Sequence, residues 1–304
     1  MSDAFSWLPS WADLAAGLKV GLALLIGLSV ATLAVVRLKR PIGTGSLRQQ
    51  VTSWWWLLPP VFVAWALRPV GILALVLAMS LLAAIDLARL DARPATHSAT
   101  PWLLAGLVLQ GLLLSCGLAQ ACVAAMALLA LAFFAAWRRS GAARRDRLLL
   151  ALFATQAAGL GCLAVLATTP SPRAADWCLW LCIVTSLNDI GQYLVGTRFG
   201  RHRMTLRISP NKTWQGFGGG LLFSAIFSMA VGRTLALAPL PWLAGIGLLL
   251  SVAGLLGDLL FSAGKRALRI KDYSALIPGH GGILDRIDSL VLTAPVLLAA
   301  LRLH

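Results

Sequence analysis

What most limits the fold open to this chain is the recurrence of long apolar runs. Ten can be read along it, at about residues 18–36, 54–67, 70–88, 101–117, 119–137, 148–168, 177–196, 214–231, 241–262 and 284–301. Runs of roughly 17 to 25 residues match a hydrocarbon core about 30 Å thick. The second and fourth are short for full crossings, which leaves nine or ten spans. Inside lipid each backbone N–H and C=O must be satisfied within the protein, which selects helices for runs of this length. The expected fold is therefore all-α: a polytopic integral membrane bundle of about 9–10 transmembrane helices. Composition agrees, with 59% hydrophobic and 12% charged residues where a soluble domain carries about 25% charged.

A net charge of +15 and a pI of 11.1 would point a soluble chain toward nucleic acid. In a membrane protein they express the positive-inside bias and attraction to anionic headgroups, so no nucleic-acid partner is expected. All but five of the 26 Lys and Arg flank the loops after spans 1, 3, 5, 7 and 9; the exceptions are Lys19, Arg68, Arg173, Arg233 and Arg302. The loop side should be cytoplasmic, with both termini opposite. Residues 1–17 hold Asp3 and Asp13 but no base, unlike the n-region of a cleaved signal, so the first span should stay as an anchor. Cys116, Cys122, Cys162, Cys178 and Cys182 all sit in apolar segments without metal-ligand spacing and read as small core residues. The Trp run at 54–56 reads as an interfacial belt, and the basic cluster at 138–147 as a topology signal. No repeat or linker divides the chain. Residues 1–170 are expected to form a helical scaffold with oligomer or lipid contacts, and 171–304 the catalytic region.

Three polar stretches exceed what orientation needs, and all map to the same side. The first, NDIGQYLVGTRFGRHR at 188–203, starts inside a span. Asp189 and Gln192, three residues apart, share a helix face with Tyr193. An ionisable residue inside a span is costly and usually faces a polar cavity or a partner such as Arg198. The second, SPNKTWQGFGGG at 209–220, breaks the chain at Pro210 and Asn211, with Thr213 as a helix cap. Lys212 at that helix entrance suits a phosphate, and Gly218, Gly219 and Gly220 suit close helix packing.

The third stretch runs from Gly257 to Ser289. All eleven acidic residues of the chain are Asp, and Asp258, Asp272, Asp285 and Asp288 fall here. On one helix, Asp258, Ser262, Lys265 and Arg269 form a single stripe, and Asp285 and Asp288 share a face of the next. Pro278, Gly279, Gly281 and Gly282 make a tight or re-entrant loop around His280, where backbone amides can approach a ligand. Carboxylates from two helices can hold Mg²⁺ while leaving room for phosphates. Lys265, Arg266 and Lys271 can neutralise a polyphosphate. The combination reads as a phosphate-and-metal site at the membrane surface.

Here the chain resembles the phosphatidate cytidylyltransferase (CDP-diacylglycerol synthase) family. The resemblance is carried by Ser262, Lys265, Arg266, Lys271, Asp272, His280, Gly281, Gly282, Asp285, Arg286 and Asp288. Upstream, SPNKTWQG, with Ser209, Lys212 and Thr213, resembles a second block of that family, and Asp189 with Tyr193 resembles an Asp and Tyr before it. The likeness covers roughly residues 185–290; before residue 170 it extends only to being a hydrophobic bundle. Gly264 stands where a large apolar residue is usual, which should loosen local packing. Gln192 and Gln215 are further departures, pointing to a divergent branch.

The resemblance implies transfer of CMP from CTP to phosphatidic acid, giving CDP-diacylglycerol and pyrophosphate with Mg²⁺, a monovalent cation being a second candidate. It implies Asp258 and Asp285 as metal ligands with Asp288 in support. Lys265, Arg266 and Lys271 would grip the triphosphate and Lys212 a substrate phosphate, and His280 would hydrogen-bond phosphate or order its loop. Asp189 would line the lipid side. A homodimer in a bacterial inner (cytoplasmic) membrane, with the site facing the cytoplasm, is also implied. Two other readings stand beside it: a CTP-dependent lipid kinase, and an ion or anion transporter. The transporter fits less well, because the charges gather at one membrane face and no inverted repeat is visible.

Overall fold

In a computed structural model, the described part of the protein comprises residues 11–37, 44–91, 99–137, 144–274 and 281–303. Ten helices account for most of it: α1 (Trp11–Arg37), α2 (Thr44–Ala66), α3 (Val70–Arg89), α4 (Thr100–Ser115), α5 (Ala119–Trp137), α6 (Arg144–Ala167), α7 (Ala174–Phe199), α8 (Trp214–Thr234), α9 (Leu240–Leu268) and α10 (Leu284–Leu303). Each coincides with one apolar run of the sequence. Seven are long and apolar enough to cross a membrane, and α4 and the apolar part of α2, Trp55–Ala66, are shorter. α10 has 20 residues but places Asp285, Arg286 and Asp288 in its first turns. The protein is an all-α integral membrane bundle.

One element departs from the all-helical expectation. Between α7 and α8 the chain forms a small antiparallel hairpin of β1 (Arg203–Thr205) and β2 (Ser209–Thr213), with Arg203 opposite Thr213 and Thr205 opposite Ser209. It lies beyond the helix ends, where water can satisfy the outer strand edges that lipid could not. Gln215 clasps it: its Oε1 accepts from the amides of Arg201 and His202, both at 3.1 Å, and its Nε2 lies 2.8 Å from His202 Nδ1.

α6 occupies the middle of the bundle, packed against α3, α5 and α10, while α7, α8, α9 and α10 pack in sequence around the polar stretches. One hydrophobic core runs through both halves, from Val20 to Leu297. With no hydrophobic drive between helices in lipid, their association rests on close van der Waals packing and interhelical hydrogen bonds. Small residues provide the closeness. A Cβ on Gly219 would lie 2.5 Å from Val195 Cβ, and one on Gly220 would lie 2.7 Å from Asn188 Oδ1, whereas Gly218 faces open space. On α9 and α6, a Cβ on Gly257 or Gly159 would strike the α10 carbonyls of Asp288 and Val291.

The interhelical hydrogen bonds centre on Asn188, which is 1% exposed. Its Oδ1 accepts from Ser224 of α8 at 3.2 Å and from Ser251 of α9 at 2.6 Å. Thr185 of α7 and Thr293 of α10 meet at 3.2 Å. Bonds of this kind average about 0.6 kcal/mol each in a membrane, so they fix register more than they add stability.

At the bundle end reached by the start of α7, Asp176 is sealed in a polar knot. Its Oδ1 accepts from Trp65 Nε1 at 2.7 Å and Arg68 Nη1 at 2.9 Å, with the Arg68 guanidinium 4.7 Å from the Trp65 ring centre. Both charged side chains are almost wholly buried, 8% and 3% exposed. Trp177 stacks edge-on against Trp180 and Trp242 nearby. At the other end, Arg145 and Arg147 donate to the carbonyls of Leu90 (2.8 Å) and Ala136 (2.5 Å), near the ends of α3 and α5. The described part of that basic cluster thus caps helix C-termini.

Candidate active site

Three helices and the hairpin deliver the polar residues to one end of the bundle. α7 contributes Asp189 through its mid-helix polar stretch, β2 of the hairpin contributes Lys212 and Thr213 at the entrance to α8, and α9 contributes Asp258, Ser262 and Lys265 from one stripe. α10 contributes Asp285 and Asp288 from its first turns. Thr213 caps α8 as expected, its hydroxyl accepting from Gly216 N at 3.1 Å. α9 continues to Leu268, and Arg269 ends it in the left-handed region at φ 58°. The expected stripe is therefore helical through Lys265 and is broken at its last member.

The charges interleave. Lys212 Nζ meets Asp258 Oδ2 at 2.5 Å, and the side chains are 16% and 26% exposed. Lys265 Nζ meets Asp285 Oδ1 at 2.7 Å, with exposures of 12% and 6%. Asp258 Oδ1 also accepts from Ser262 Oγ at 3.1 Å, as helical spacing of four requires. Asp189 Oδ1 accepts from Ser289 Oγ of α10 at 3.2 Å and Asn188 Nδ2 at 3.2 Å. Asp288 is buried, takes Ser289 N on Oδ1 at 2.8 Å, and lies within electrostatic reach of Asp258 and Asp189. Three carboxylates thus crowd one space, with two lysines and Arg286 around them.

Asp285 is held from three sides. Beyond Lys265, its Oδ2 accepts from Tyr273 N at 3.1 Å and Gly282 N at 2.9 Å. Gly281 has φ +79°, and a Cβ there would lie 2.6 Å from Asp285 Oδ2, so both backbone freedom and space require glycine. Tyr273 is 1% exposed, its hydroxyl donating to Phe261 O at 2.9 Å; burial pushes its phenol well above the ordinary value, so it stays protonated. The expected loosening at Gly264 is not seen. A Cβ there would meet Leu152 Cδ2 at 2.9 Å and the Tyr273 hydroxyl at 3.1 Å. The missing side chain is what lets α6 and Tyr273 close on α9.

Other expected residues lie around this centre. Arg266 is exposed, and its Nε donates to Ile208 O at 3.1 Å, tying the hairpin to α9. Lys271, Asp272 and Arg286 are exposed, and Ser209 opens β2 half-buried. Tyr193 stands 38% exposed on α7. Gln192 receives Lys212 Nζ at 3.5 Å. His280 lies outside the described residues.

Sequence reasoning passed over Asp86. It is fully buried at 0% exposure near the end of α3, yet its carboxylate accepts from Ser274 Oγ and Ile283 N, both at 2.7 Å, and from Leu284 N at 3.4 Å. The available signal was its rarity, as one of eleven acids, set at the site end of a span. Nothing local could have joined it to partners 188 and 197 positions away.

The donor set suits a hard divalent cation. Asp258 and Asp288 bring carboxylate oxygens from two helices, and the second oxygen of Asp288 accepts no hydrogen bond from the described residues. No cluster of three or more acidic, His or Cys groups in ligand range occurs among those residues, but Mg²⁺ usually takes one or two protein carboxylates and completes its shell with water and phosphate. On donor chemistry, the residues fit.

Comparison with known proteins gives the family of the chain. Residues 48–304 match the model of the cytidylyltransferase family. The chain belongs to that family. Among its relatives are the uncharacterised protein YnbB of Escherichia coli, 43% identical over 142 residues (46% of this chain, 47% of the relative), and a phosphatidate cytidylyltransferase of Staphylococcus aureus, 43% identical over 120 residues (39% of this chain, 46% of the relative). A phosphatidate cytidylyltransferase of Mycobacterium bovis is 38% identical over 123 residues, 40% of either chain. The matched stretches thus span less than half the length of these curated relatives. The Lys212–Asp258 and Lys265–Asp285 pairs of this cytidylyltransferase-family member both lie within the matched residues.

Proposed function

We propose that the protein transfers CMP from CTP to phosphatidic acid, yielding CDP-diacylglycerol and pyrophosphate. The observation that carries this reading is the interleaving of Lys212, Asp258, Lys265 and Asp285 at one membrane end of α7–α10. Each lysine rests on a carboxylate, and a substrate phosphate is an alternative partner for it. The named relatives add weight, two of them being phosphatidate cytidylyltransferases.

In this reading Lys265, Arg266 and Lys271 grip the triphosphate, and Lys212 takes a phosphate of one substrate. A phosphatidate oxygen forms the new bond to the α-phosphorus of CTP as the α–β bridge breaks and pyrophosphate leaves. That nucleophile is already an anion, so no general base is needed, and His280 serves by hydrogen bonding. The catalytic task is positioning and charge neutralisation. Asp258 and Asp288 would hold Mg²⁺, which would supply charge neutralisation on the phosphates; Asp285, expected as a third ligand, is engaged by Lys265 and two backbone amides and would join them only on releasing Lys265. Asp189, on α7, lines the polar cavity on the lipid-entry side. The end bearing these residues carries most of the Lys and Arg, which favours a cytoplasmic site in a bacterial inner membrane, where CTP and a leaflet phosphatidate both have access.

The test uses purified protein in detergent with phosphatidic acid, Mg²⁺ and CTP labelled at the α-phosphate, beside Asp285→Asn. The amide keeps an oxygen for Tyr273 N and Gly282 N, so the loop is spared while the charge is lost. Label entering lipid with pyrophosphate release, and its loss in the folded variant, supports the reading. Phosphate passing from γ-labelled CTP to a lipid alcohol, with CDP released, would replace it with a lipid kinase. A folded wild type that moves neither label refutes it.

A further inference from the structure

We propose that Asp86, on α3 of the N-terminal half, is a positioning residue for the reaction: it clamps both flanks of the loop before α10 and sets how α10 presents Asp285 and Asp288. This rests on the functional reading above for the reaction, though not for the clamp. A helix leaves its first amides without internal partners. α10 begins at Leu284, and the amides of Ile283 and Leu284 are taken by a single carboxylate from 197 and 198 positions away. The other oxygen of that carboxylate holds Ser274 Oγ at 2.7 Å, on the far side of residues 275–280. One side chain thus fixes the point where the chain leaves the α9 turn and the point where it enters α10.

The fit is tight and electrostatically consistent. A carboxylate at a helix N-terminus meets the positive end of the helix dipole. Asp86 is 0% exposed, so it cannot reach substrate and acts through others. A Cβ on Gly282 would collide with Asp86 Oδ2 and lie 3.0 Å from Ser274 Oγ, so the glycine leaves room for the clamp. The same turn aims Gly282 N at Asp285 Oδ2, 2.9 Å away. Asp86 and Asp285 therefore grip successive amides, at 283 and 282, and a shift in one grip displaces the other.

The experiment uses full-length protein in detergent, comparing Asp86→Ala, Asp86→Asn and Gly282→Ala. For Asp86→Ala, kcat per folded molecule in CMP transfer from α-labelled CTP should fall about 10- to 100-fold, the range seen when groups supporting a ligand set are removed. The KM for CTP should move less than about 3-fold, because no substrate contact is lost. Asp86→Asn, which keeps acceptor oxygen, should recover part of the rate. Backbone hydrogen exchange should quicken at residues 283 and 284 in Asp86→Ala while α8 is unchanged. Gly282→Ala should cost less when combined with Asp86→Ala than it does alone, because both changes strike one contact. Unchanged exchange at 283 and 284, or unchanged kcat per folded molecule with only a lower melting temperature, overturns the proposal. If wild type moves no CMP, the functional reading falls while the exchange result still decides the clamp.

Discussion

Two charged regions sit on α7 and treat their acids in opposite ways. Asp176 and Asp189 are about 20 Å apart at 1.5 Å rise per residue. Asp176 is locked by a guanidinium and an indole, with both charged partners under a tenth exposed. Asp189 belongs to the region where Asp258 and Asp285 rest on lysines, and the Lys212–Asp258 pair remains 16% and 26% exposed. The choice of base matters. A planar guanidinium with several fixed donors suits a permanent knot, while an ammonium on a flexible stem can leave one anion for another. The first region holds the bundle together and the second keeps its charges available.

Four substitutions break or sharpen this contrast. The largest effect is expected for Lys265→Ala, about 10³-fold in kcat/KM, or roughly 4 kcal/mol of transition-state stabilisation. Its detergent melting temperature should fall less than in Arg68→Ala, since Asp285 keeps two backbone donors; steady-state CMP transfer with a thermal melt checks both halves. Arg68→Ala should show the reverse, with about 3 kcal/mol of stability lost because Asp176 is left buried without its base. Its folded fraction should turn over at the wild-type rate, and a collapse of that rate with no thermal change would show that the knot is not merely structural. Lys212→Arg keeps the charge but changes its shape, and about a tenfold fall in kcat/KM is expected. Tyr273→Phe removes the hydrogen bond to Phe261 O, with a loss of about 1 kcal/mol in stability and a still smaller effect on rate.

The helices were legible in sequence because lipid enforces a strong rule. All ten apolar runs became helices, including the two that were short. The stripe from Asp258 to Lys265 was legible because helical spacing places i, i+3 and i+4 on one face, and Ser262 does bond Asp258. What stayed hidden depends on distant partners. SPNKT showed its chain break at Pro210, but a strand of five residues has too short a pattern to announce pairing with Arg203–Thr205. Gln215 looked like a simple departure, and its clasp on two hairpin amides depends on the turn it closes. Gly264 was misjudged for the same reason: the neighbours that fill its space, Leu152 and Tyr273, come from elsewhere in the chain. Asp86 is the extreme case, a lone acid whose meaning appears only when α10 arrives beside it.

The close approach at Gly257 has a dynamic consequence. The α10 carbonyl of Asp288 lies where a Cβ would be on α9, and the Val291 carbonyl sits equally close to Gly159 on α6. Packed backbone at this range resists sliding, because any axial shift drives carbonyls into neighbouring main chain. The carboxylates on α9 and α10 therefore ride on one stiff frame. In the proposed reaction, admission of a triphosphate would call for the lysine arms to leave their carboxylates, not for the helices to slide. In such a frame, the turnover of the proposed reaction would be paced by bond making or by product departure and not by sliding of α10 against α9 or α6.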